Sequence, residues 1–162
     1  MRYVVERKSW SLRYHQVSAI NETGESAMFV RVRKTAEPQD TILFRDETQA
    51  QPIVRVLSRT VTFDHLQYEV FACDTGQSLG IFAKAFGTPG RVMSSGFDEL
   101  GQFDDREIRI GDRIAATMTR DLIEILPAKV DPRFLLALAL LRPFRQMWVS
   151  TTRTNGWRRR WA

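Results

Sequence analysis

The sequence predicts a mainly β domain (α+β): a closed antiparallel barrel of about twelve strands around one central hydrophobic carboxy-terminal helix. Three observations predict it. Phe134 to Leu141 is eight consecutive apolar residues, with no polar side to turn toward water as a surface helix has. Nearly everything before it reads as short strands separated by turn signals, the pattern of a barrel or sandwich. The apolar run is also far shorter than the roughly 20 residues that span a bilayer, so the same chain must wrap it.

The elements follow in order. Tyr3–Glu6 and Tyr14–Ile20 open the chain as strands, and Asn21-Glu22-Thr23-Gly24 is a turn. Ser26–Arg33 alternates, with Met28, Val30 and Val32 on one face opposite Arg31 and Arg33, and pairs back as a hairpin. Thr35–Asp40 is a polar loop containing Pro38. Thr41–Arg45 and Ile53–Ser58 flank the turn Asp46–Gln49, with Pro52 at a strand start, where proline is tolerated. Val54 and Val56 alternate with Arg55, and Thr60–Phe63 reads as a short extra strand.

Leu66–Cys73 and Leu79–Phe86 flank Asp74-Thr75-Gly76-Gln77. The expected inward set of the second of these is Leu79, Ile81, Ala83 and Ala85, whose small alanines leave space for a central helix. Gly87-Thr88-Pro89-Gly90 breaks the pattern. Val92–Phe97 is a weaker strand, Glu99-Leu100-Gly101 a turn, and Phe103–Asp105 a loop. Glu107–Ile110, Arg113–Met118 and Leu122–Leu126 complete the strands. Asp131 is placed to cap the helix, Pro132 suits its first position, and Pro143 stops or kinks it. The expected buried helix residues are Phe134, Leu135, Leu136, Leu138, Leu140 and Leu141.

Two of the hairpins repeat. YHQVSAINETGES (Tyr14–Ser26) and YEVFACDTGQS (Tyr68–Ser78) share Tyr, Val, Ala and then Thr-Gly-x-Ser at the turn. An array of similar hairpins is what an up-and-down barrel needs, and closure removes the open edges that invite aggregation.

Charge divides the chain into a barrel domain, residues 1–146, and a tail, residues 147–162. Arg142 to the end holds six arginines and no acid, which leaves 18 basic against 19 acidic residues before it. Arg142, Arg145, Arg153, Arg158, Arg159 and Arg160, with Trp148, Trp157 and Trp161, form the candidate anion- or lipid-binding set. Arginine attracts phosphate, and tryptophan favours the boundary between membrane and water. The same arginines and tryptophans also fit nucleic acid, with rings stacked on bases. A solubilising chain end is the plain alternative.

Chemistry is otherwise sparse. Two histidines, His15 and His65, and one cysteine, Cys73, supply neither a nucleophile–base constellation nor clustered metal ligands. No catalytic residue, metal, cofactor or small-molecule substrate is expected. A single cysteine fits a reducing cytosol. The amino-terminal residues lack an apolar h-region, so neither a signal peptide nor a membrane span is expected.

Leu43–Val56 (LFRDETQAQPIVRV) and Thr62–Phe71 (TFDHLQYEVF) resemble the LURP-one-related proteins, kin of phospholipid scramblases and of the Tubby carboxy-terminal domain. The shared pattern is a Leu-x-x-Asp-x-x-Gly turn, a following strand, and a strand ending in aromatic-x-Val. Gln49 stands where the family often has glycine. The order of hairpins and the late apolar helix extend the resemblance over about Arg2–Phe144. It implies a twelve-stranded barrel around an apolar helix and, since Tubby domains bind phosphoinositides and scramblases are lipid-associated, association with phospholipid surfaces. The acids Asp98, Glu99, Asp104 and Asp105 lack the spacing of a calcium loop and read as solvated turns. The expectation is a cytoplasmic protein, peripheral at anionic membranes through its tail.

Overall fold

The computed structural model describes residues 1–8, 14–33, 40–61, 65–85 and 88–141. Twelve strands follow one another: β1 (Arg2–Lys8), β2 (Tyr14–Ile20), β3 (Ser26–Arg33), β4 (Asp40–Phe44), β5 (Pro52–Val61), β6 (His65–Ala72), β7 (Ser78–Ala85), β8 (Gly90–Met93), β9 (Glu99–Phe103), β10 (Glu107–Ile110), β11 (Arg113–Met118) and β12 (Leu122–Ile125). Each pairs antiparallel with its chain neighbours, and β1 closes the barrel on β12 through Arg2↔Glu124, Tyr3↔Ile123 and Val4↔Leu122. Among the described residues one helix, α1 (132–141), follows.

The helix lies inside the barrel. Phe134, Leu135, Leu136, Ala137, Leu138, Ala139, Leu140 and Leu141 are each at most 5% exposed, and all join one cluster with wall residues from β1 to β12. Exposure this low on every side of a helix requires apolar neighbours all round it. Asp131 caps it as the sequence predicts: its Oδ1 accepts from the Arg133 N–H at 2.8 Å. The wall meets the helix through aromatic rings. Phe82 stacks on Tyr68 with centroids 5.2 Å apart and meets Phe134 edge-on at 6.5 Å.

One turn design recurs along the end of the barrel where α1 begins. Asn21, Asp46 and Ser94 each accept, through a side-chain oxygen, the N–H two residues on: Thr23 at 3.1 Å, Thr48 at 3.0 Å and Gly96 at 3.2 Å. Each turn then has a residue with positive φ: Gly24 (83°), Gln49 (59°) and Phe97 (68°). The β6–β7 turn has Gly76 (72°) at the equivalent place. A register shift accompanies all four, at Ala19/Ile20, Leu43/Phe44, Val70/Phe71 and Val92/Met93. This is a short turn closed by a left-handed residue and a bulge. The repeat seen in two hairpins is thus present in four.

The structure corrects several strand readings. Glu99–Gly101 is not a turn; it belongs to β9, which runs on through Phe103. Gly101 serves close approach instead, since a Cβ there would stand 1.8 Å from the Arg109 carbonyl oxygen. The turn lies earlier, because β8 ends at Met93 and Ser94–Asp98 turns back. Of the extra strand expected at Thr60–Phe63, Thr60 and Val61 are the end of β5, past a bulge at Ser58/Thr60, and residues 62 and 63 lie outside the described residues. These errors cancel in the strand count.

The inward set of β7 is also reversed beyond Leu79, which packs against the central cluster as expected. Phe82 joins the central cluster, and a Cβ on Gly80 would stand 3.1 Å from the Phe134 ring. Ile81 and Ala83 therefore face outward, where they form a separate cluster with Met93. The glycine, not the alanines, gives the helix its space here.

Candidate functional site

The barrel mouth at the start of α1 holds an open cleft of about 420 Å³. Met28 and Leu136 line it with buried apolar surface, and Tyr3 and Ile53 are half-buried at its sides. Arg45, Asp74 and Arg133 supply its charge. The turn design above places Arg45 and Asp74, and the Asp-Pro-Arg start of the helix places Arg133.

Arg133 is fully engaged. Its Nη2 lies 2.9 Å from Asp131 Oδ2, and its Nη1 lies 3.2 Å from Asp74 Oδ1, tying the helix start to the β6–β7 turn. The hydrogen bond from Arg133 holds the Asp131 carboxyl below its ordinary pKa, against the opposing effect of burial. The same pairing raises the Arg133 guanidinium. Both stay charged, and neither can act as an acid or a base near neutral pH. Burial raises the Tyr3 phenol, which stays protonated. Among the described residues Arg45 has no ion-pair partner, so it is a cation this cleft can offer an anion, beside the Met1 ammonium, which donates to the Ile125 carbonyl at 2.8 Å.

The other reactive groups are scattered. His15 lies in β2 opposite Val32, and His65 opens β6 opposite Ala85. Cys73 is half-buried in the turn after β6, and burial pushes its thiol upward, away from a reactive thiolate. Among the described residues no group of three or more His, Cys, Asp or Glu could hold a metal ion. Asp104 accepts from the Arg106 N–H at 2.7 Å and the Glu107 N–H at 2.9 Å, so it closes the β9–β10 turn. Asp98 likewise closes the β8–β9 turn with Ser94.

The candidate anion-binding set, Arg142, Arg145, Trp148, Arg153, Trp157, Arg158, Arg159, Arg160 and Trp161, lies outside the described residues, as does Pro143. The structure places its root. α1 ends at Leu141, and Ala139 and Leu140 lie beside Val5, Arg7, Val17 and Met118 at the end of the barrel opposite the cleft. Sequence reasoning missed the cleft because its residues come from six separate stretches, with no shared spacing to betray them. The Asp-Pro-Arg triplet, as a charged helix start, was the one local signal.

No protein-family model, no curated protein and no solved structure matches the chain. Among the described residues, no helix is long and apolar enough to cross a membrane.

Proposed function

We propose that this chain is a non-enzymatic barrel that associates with anionic phospholipid surfaces through residues 142–162. The observation that carries the reading is the charge division: six arginines and three tryptophans with no acid, following a body of 18 basic and 19 acidic residues. Each basic residue close to an anionic bilayer contributes about 1 kcal/mol. The run has too little apolar length for a permanent anchor, so the contact is reversible.

Two features support it. The helix occupies the interior, which argues against carriage of a ligand in the lumen and favours recognition on the exterior. The resemblance to LURP-one-related, scramblase and Tubby proteins points the same way. Gln49 adopts the left-handed conformation that a glycine at its place in the family pattern favours, so its departure is one of residue and not of backbone.

Co-sedimentation with vesicles tests the proposal. Binding to anionic vesicles and not to neutral ones, lost on deletion of residues 151–162, is expected. Equal binding to both, or binding indifferent to the deletion, overturns it. Oligonucleotide binding with a steep salt dependence, and none to vesicles, would assign the arginines to nucleic acid instead.

A further inference from the structure

We propose that the cleft at the barrel mouth binds a small monocarboxylate, its apolar body against Met28 and Leu136 and its carboxylate on the Arg45 guanidinium. The core comes to the surface here. The first turns of α1 line the cleft through Pro132, Arg133 and Leu136. Met28 is 1% and Leu136 5% exposed. Ala27 and Ile53 beside them are half-buried and pack against the same central cluster. A concavity of about 420 Å³ with apolar walls and few polar groups is the usual form of a small-ligand site.

Charge selects the ligand. Arg133 is spent on Asp131 and Asp74. Arg45 is not: among the described residues its guanidinium has neither an ion pair nor a hydrogen bond. Its backbone is fixed all the same. The Arg45 N–H donates to the Gln51 carbonyl at 2.8 Å, and the Arg45 carbonyl accepts from Ser26 Oγ at 2.6 Å. The neighbouring Asp46 carboxylate is taken up by its own turn, accepting from the Thr48 N–H at 3.0 Å. An unpaired guanidinium at the edge of an apolar cleft suits a carboxylate, which it can meet with two parallel hydrogen bonds.

Tyr3 adds a donor. Its hydroxyl donates to Met1 Sδ at 3.4 Å, and a thioether is a weak acceptor that a carboxylate oxygen outcompetes. A second negative charge on the ligand has no place. It would meet Asp74, whose side chain is 66% exposed. The Met1 ammonium already donates to the Ile125 carbonyl at 2.8 Å.

This site lies apart from the arginines assigned to lipid, and its test uses octanoate, titrated into the full chain at pH 7.5 and followed by amide chemical shifts. Saturable shifts at Ala27, Met28, Arg45, Ile53 and Leu136 are expected, half-complete by about 10 mM. Octylammonium, with the same apolar body and the opposite charge, should bind more weakly, and octyl phosphate no more tightly. Arg45→Gln should weaken octanoate binding about threefold or more, and Tyr3→Phe should weaken it too. Arg91→Gln, at an exposed position of β8 outside the cleft, should leave it unchanged. A midpoint beyond about 10 mM, or shifts scattered over the barrel away from the cleft, overturns the site. So does octylammonium bound as tightly as octanoate, or a smaller effect of Arg45→Gln. Octyl phosphate bound more tightly than octanoate overturns the single-charge assignment. No vesicle enters the measurement, so the cleft and the membrane contact stand or fall separately.

Discussion

Gly80 lies against the ring of Phe134. A Cβ built on the glycine would stand 3.1 Å from Phe134 Cε2 and 3.2 Å from the Met93 carbonyl oxygen. Gly80 also has φ +148°, a conformation that side chains disfavour. Barrel wall and central helix therefore meet where one residue has no side chain. Gly80→Ala is expected to destabilise by about 1–3 kcal/mol. In a Phe134→Leu background the penalty should shrink, because the smaller side chain yields space. Denaturant unfolding of the four proteins of this cycle gives the coupling.

Gln49 and Phe97 hold left-handed conformations, at φ 59° and 68°, that glycine holds in the sister turns. A left-handed residue with a Cβ costs about 1–2 kcal/mol, and glycine gives part of that back as unfolded-state entropy. Gln49→Gly and Phe97→Gly should each stabilise by about 0.5–1 kcal/mol. In a chain this long that raises Tm by roughly 1–4 °C. A fall in Tm on calorimetry would count against the shared turn geometry.

Asp131 caps α1 and pairs with Arg133, which together lower its pKa in the folded state. A carboxylate lowered in this way stabilises above its unfolded pKa, near 4. That contribution disappears as pH falls through the lower, folded value. Asp131→Ala should cost about 1 kcal/mol at neutral pH, and Asp131→Asn less, because the amide oxygen still accepts the Arg133 N–H. Both variants should lose less stability than the parent between pH 5 and the acid limit. Urea midpoints across that range show whether they do.

Charge in the tail should govern vesicle binding, and charge at the cleft should not. Replacing Arg158, Arg159 and Arg160 with glutamine removes about 3 kcal/mol of attraction to anionic lipid, or roughly a hundredfold in affinity. Arg45→Ala, at the opposite end of the barrel from the root of the tail, should change binding by less than about threefold. Titration with anionic vesicles at fixed salt separates the two.

How much of this was legible depended on which residue carried the signal. The helix was readable because an apolar run with no polar side, too short for a bilayer, belongs in a protein core, and because Asp131 and Pro132 marked its start. The first hairpins were readable from Thr-Gly turns, but the third and fourth members of the series were missed as repeats because Gln49 and Phe97 stand in the glycine position. Gly101 misled in the other direction, since a glycine that permits close backbone approach looks like a turn glycine. Apolar alternation picked the wrong face of β7 because both faces are covered, Phe82 by the helix and Ile81 on the outside. The mouth cleft left no trace in sequence, being assembled by closure of the barrel from distant stretches.

The proposal of recognition on the outside of the barrel rests on α1 filling the inside. Amide hydrogen exchange over residues 134–141 tests that filling most directly. These amides are predicted to exchange only through global unfolding, as slowly as the central amides of β7. Exchange orders of magnitude faster than β7, as in a helix with a face in water, would contradict it.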